Sequence, residues 1–81
     1  MQKPNIIIVK CSLREEMGII SVAKDLAEQL HLNITNHRIS ARNFLFHVDV
    51  SIAFIVTPVH SDYIGNVEVF NKLITAENIF S

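Results

Sequence analysis

Apolar residues fall into three kinds of pattern along the chain. Residues 5–10, Asn-Ile-Ile-Ile-Val-Lys, form a β-branched run bounded by Pro4 and by the polar stretch that begins at Cys11. A short run that is apolar at nearly every position predicts a strand covered on both faces, as in a parallel sheet. From Gly18 the period changes to three and four. Ile19, Val22, Ala23, Leu26, Ala27 and Leu30 recur on one side, with Lys24, Asp25, Glu28 and Gln29 between them. That spacing predicts an amphipathic helix over 18–31, with an earlier start favoured by Glu15 and Glu16 at its positive end. Residues 11–17 read as a connecting loop or a ragged helix start. A polar second strand is predicted over 33–39, at an edge. Ser40 then caps a short helix over 41–46, with Phe44, Leu45 and Val48 as its buried side. Residues 50–57 form the second long β-branched run, stopped by Pro58, and predict a central strand beside residues 5–10. A fourth strand is expected over 67–74, and the opening turn of a helix over 75–78.

This order predicts a single α/β domain over residues 1–81, in two or three layers, with a mainly parallel four-stranded sheet. Composition narrows what such a domain does. Seven Lys and Arg against eight Asp and Glu leave a net charge of −1. That balance argues against nucleic acid as a partner and against a polybasic membrane anchor. A single cysteine excludes an internal disulfide and a multi-cysteine zinc site, and the four histidines show no metal-ligand spacing. Neither apolar run is long enough for a signal-peptide core or a membrane span, so a cytoplasmic protein without direct membrane insertion is expected.

The chemistry then concentrates on Cys11. In an open parallel sheet, ligands bind beyond the carboxyl ends of the strands, and Cys11 directly follows the first of them. His60 follows the central strand, at what a parallel sheet makes the same edge. Helix N-terminal amides lower a thiol's pKa, whereas Glu15 and Glu16 are expected to raise it. The cysteine-x5-arginine phosphatase loop, the Walker loop and the nucleophile elbow are all absent.

The layout of residues 5–11, 21–32, 49–57 and 66–70 resembles the IIB component of the bacterial sugar phosphotransferase system, the galactitol-type branch above all. The resemblance implies a Rossmann-like sheet whose C-terminal helix is here shortened or missing. It implies that Cys11 is a phosphocysteine, with Ser12, Leu13, Arg14 and Gly18 around the phosphate and no cofactor or metal. The implied partners are a phosphohistidine IIA protein, a membrane IIC permease and the sugar that permease holds. The loop departs from the family in carrying Arg14 in place of a glycine, and Met17 and Gly18 in place of hydroxyl residues. Two readings follow. One is a phosphocysteine carrier, which would make the chain a phosphotransferase. The other is a non-catalytic module of the same fold that binds a protein through Arg14, Glu15 and Glu16. An uncovered sheet face in either case predicts self-association.

Overall fold

The computed structural model describes residues 5–76. Three strands and two helices alternate as β1 (Asn5–Ser12), α1 (Leu13–Gln29), β2 (Leu32–Asn43), β3 (Val48–Pro58) and α2 (Ile64–Ile74), with a short 3-10 turn at Ser61–Tyr63 before α2. The sheet order is β1-β3-β2, and β3 runs antiparallel to both neighbours. β1 and β2 therefore run parallel to each other with β3 lying between them, a split β-α-β unit to which α2 is added.

The expected mainly parallel, four-stranded sheet is thus replaced by an antiparallel sheet of three strands. The physical reason lies at two segments. Residues 41–46, expected as a short helix, continue β2 and close a tight β2–β3 hairpin, in which the Phe44 N–H donates to the His47 carbonyl at 2.8 Å. A hairpin joins antiparallel neighbours, whereas a parallel pair needs a long crossover. Residues 67–74, expected as a fourth strand, are helical. Val67, Phe70 and Ile74 fall at helical spacing and are buried, so the polar Asn71-Lys72 pair lies on the outer face of α2 and does not break a strand. α2 covers the sheet where the shortened closing helix was expected. Residues 77 and 78 of the expected last helix lie outside the described residues, and Thr75 is the C-cap of α2.

Other expectations hold. Residues 50–57 form most of the central strand, and residues 33–39 belong to an edge strand. The long helix lies where its period placed it, although it spans Leu13–Gln29 rather than 18–31.

Both helices cover one face of the sheet. Ile7 and Val9 of β1, Val50, Ile52, Phe54 and Val56 of β3, and Leu32 of β2 point to that face and meet Ile19, Ala23 and Ala27 of α1 and Val67, Phe70 and Ile74 of α2. The Phe54 and Phe70 rings meet edge to face, with centroids 6.5 Å apart and planes at 76°. The start of α2 is also tied to the end of α1, where the Asn66 side-chain amide donates to the Leu30 carbonyl at 2.9 Å. At the α1–β2 corner His31 adopts φ 57°, the left-handed conformation that ends helices, and its ring stacks on Tyr63 at 4.5 Å.

Among the described residues no element covers the other face of the sheet. Directly opposed residues of an antiparallel pair share a face, so the register places Ile6, Ile8 and Lys10 of β1 beside Ile55, Ala53 and Ser51 of β3 on this side. Ile6 and Ile8 are 63% and 48% exposed.

Candidate functional site

Cys11 is the next-to-last residue of β1 rather than a loop residue, and pairs with Val50. It follows Ile7 and Val9 on the helix-facing side, so its side chain is partly buried against the core. Burial pushes its thiol pKa above the ordinary value, and the carboxylates of Glu15, Glu16 and Asp49 push it further. The sulfur is therefore held as a thiol, the opposite of the poised thiolate a nucleophile needs.

The residues expected around a phosphate are placed otherwise. Ser12 is the N-cap of α1, and its N–H and hydroxyl both donate to the Glu15 carboxylate, at 3.1 and 2.7 Å. This is the glutamate half of a capping box, and it puts a fixed negative charge at the helix N-terminus. The same bonds, the hydroxyl's first, hold Glu15 below the usual carboxylate range. Leu13 and Arg14 are the first helical residues and are exposed. Gly18 sits in the second turn with open space where a Cβ would be. It provides no close backbone approach to an anion.

Glu16 shares the helix start with Glu15 but not its exposure. It turns instead toward the sheet, where it is 6% exposed, and accepts from Arg38 of β2 with both oxygens, Nε to Oε2 at 2.7 Å and Nη2 to Oε1. The guanidinium bonds hold Glu16 below the usual carboxylate range against the opposing effect of burial. The pair fastens α1 to β2 and is structural.

His60 and Cys11 do not share an edge. Cys11 pairs with the third residue of β3, whereas His60 lies two residues past its end. An antiparallel sheet separates them by some ten residues of extended chain, roughly 30 Å. Among the described residues no group of three or more His, Cys, Asp or Glu is placed to hold a metal ion. No helix there is long and apolar enough to cross a membrane.

Two surface features escaped the sequence reading. The first is the outer edge of β1, which carries no strand among the described residues. The two edges of the sheet differ. β2 is polar, carries Arg38 and Arg42, and has a register break between Arg38 and Ser40. β1 is Ile-Ile-Ile-Val with a continuous register and Lys10 as its one charge. The second is the hairpin tip, where Phe44, Leu45 and Phe46 are 50%, 87% and 91% exposed. A cleft of about 410 Å³ lined by Ser12, Leu13, Arg14, Phe46, His47 and Val48 lies on one side of the tip. One of about 490 Å³ lined by Lys10, Ser40, Arg42, Phe44, Asp49 and Ser51 lies on the other. The signal for the tip was present: large apolar residues between two β-type runs, with no helical period across residues 40–43.

Comparison with known proteins adds nothing to this geometry: no family model, curated protein or solved structure matches the chain.

Proposed function

We propose that the chain is a cytoplasmic, non-catalytic protein-interaction module that pairs with a second copy of itself through the edge of β1 that no strand of the described residues covers. One observation carries this reading. β1 has the composition of an interior strand, yet it lies at an edge with Ile6 and Ile8 exposed. Edges are ordinarily blunted by charge, proline or bulges, because their free N–H and C=O groups recruit another strand. β2 has such guards, and β1 has only Lys10.

A second copy is the occupant that closes. Two β1 strands meeting antiparallel about a twofold axis make one isologous contact, and the six-stranded sheet then ends on the two guarded β2 edges. An axis near Ile8 sets Lys10 opposite the partner subunit's Ile6, so the two lysines are kept apart. The exposed isoleucines of both copies then form one stripe across the seam. The lone thiol suits a reducing compartment.

Sedimentation equilibrium over a concentration series tests the pairing. Wild type is expected to dimerise, Ile8→Lys to be monomeric, and Thr35→Lys, on the open face of the other edge strand, to dimerise like wild type. A wild type that is monomeric throughout overturns the proposal. So does a Thr35→Lys variant that fails to associate, because that outcome assigns the contact to stacked sheet faces.

The phosphocysteine carrier is the second reading, supported by the place of Cys11 two residues before α1. The antiparallel sheet, the raised thiol pKa and the Glu15 carboxylate at the helix N-terminus weigh against it. Its test is incubation with phosphoenolpyruvate and the general phosphotransferase proteins, followed by intact mass. An adduct lost in Cys11→Ser favours the carrier.

A further inference from the structure

The hairpin tip breaks a local rule. Leu45 and Phe46 are the two loop residues of the β2–β3 hairpin, closed by the Phe44–His47 backbone bond. Such positions ordinarily hold Gly, Asn or Asp, which supply positive φ. Among the described residues only His31 has positive φ outside glycine, so the tip makes its turn without those residues. Nothing in the fold rewards the two side chains either, since they are the most exposed large apolar residues described. Phe44 stacks on His47 with centroids 5.0 Å apart, which stiffens the base of the tip.

The charge around the tip is uneven. Arg14 lines the cleft on one side, and Lys10 and Arg42 line the cleft on the other. Three carboxylates lie at this end as well, Asp49 in the lining of the second cleft, and among the described residues only Glu16 has its charge balanced by a cation, Arg38. Glu15 accepts from Ser12, Glu16 from Arg38, and Asp49 lies 3.4 Å from His47. Among the described residues, Lys10, Arg14, Arg38 and Arg42 outnumber Glu15, Glu16 and Asp49 by one at this end, whereas Asp25, Glu28, Asp62 and Glu68 outnumber Lys24 and Lys72 by two elsewhere, so the net charge of −1 conceals a modest polarity.

We propose that the β2–β3 hairpin tip is a membrane-surface contact, with Leu45 and Phe46 entering the interface of an anionic bilayer and Lys10, Arg14 and Arg42 meeting its headgroups. A convex apolar wedge with cations at its base fits a deformable, negatively charged surface. The contact is peripheral, and a few cations with two inserted side chains make it reversible.

Vesicle co-sedimentation of the full chain tests this, using phosphatidylcholine alone and phosphatidylcholine mixed with phosphatidylglycerol. Wild type is expected to sediment with the mixed vesicles, to be released by high salt, and to stay in solution with phosphatidylcholine alone. The double variant Leu45→Ser/Phe46→Ser is expected to lose at least tenfold in partitioning, and Arg42→Gln about fivefold, the worth of one basic residue near such a surface. Both sites are exposed, so circular dichroism is expected to match wild type. Binding that is equal for wild type and the double variant overturns the proposal, as does a wild type that ignores both vesicle types. A lipid-free oligomer abolished by the double variant while lipid binding is absent also overturns it, in favour of a protein contact.

Discussion

Phe70→Ala removes the ring that holds α2 on the sheet. Phe70 and its neighbour Phe54 are both fully buried, and α2 otherwise buries only Val67 and Ile74. Truncating a buried phenylalanine costs about 3–5 kcal/mol, through lost transfer free energy and the cavity left behind. The edge-to-face pairing contributes about 1 kcal/mol beyond burial. A chain of 81 residues has a total stability of about 4–12 kcal/mol at the usual 0.05–0.15 kcal/mol per residue. A loss of about 4 kcal/mol therefore takes at least a third of it and lowers Tm by about 16–32 °C. Phe70→Leu keeps much of the volume and loses mainly the ring contact, so it is expected to cost about 1–1.5 kcal/mol. Urea unfolding followed by far-ultraviolet circular dichroism, at one fixed protein concentration, reads both variants. A Phe70→Ala loss under about 1 kcal/mol refutes the reasoning. So does a Phe70→Leu loss as large as that of Phe70→Ala, and the leucine variant remains informative if the alanine variant does not fold.

Gly18→Ala is expected to stabilise the chain by about 0.5–1 kcal/mol in the same assay. A Cβ there meets open space in a helix interior, where glycine is costly. The Glu16–Arg38 pair predicts a pH dependence. Glu16 titrates below its unfolded value of about 4.3, so its contribution is complete above that pH and is lost as pH falls through the lower folded value. Urea midpoints measured from pH 6 downward (~6 to ~3) are expected to fall less in Arg38→Met than in wild type. Iodoacetamide alkylation of Cys11 is expected to show a midpoint above the ~8.5 of a free thiol, and a midpoint below it refutes the assignment of burial as the main cause.

The sequence carried local periods well and sheet direction poorly. Ile19, Ala23 and Ala27 announce a buried helix face because their spacing depends on the helix alone. The continuous run at residues 5–10 states only that a strand is apolar on both sides. It does not distinguish a parallel neighbour from an antiparallel one, and here the second apolar side is the open face. The fold turned on residues 41–46, where a hairpin without turn residues looked like a helix. Parallel topology then placed Cys11 and His60 together, and the true topology parts them. The acidic neighbours of Cys11 were legible as an unfavourable field because charge acts whichever way the sheet runs. The Arg38 partner of Glu16 was not legible, since 22 residues separate them in the chain.

The strand order has a consequence for how the chain is made. Among the described strands β1 and β2 pair only with β3, so neither has a hydrogen-bonded strand neighbour until residues 48–58 arrive. On a ribosome, residues 13–47 must emerge after β1 before a ladder among the described strands is able to form, and α1 has no complete surface to pack on until then. Assembly of the sheet therefore waits for one strand, and the isoleucine run of β1 stays unpaired in the nascent chain until that strand is made.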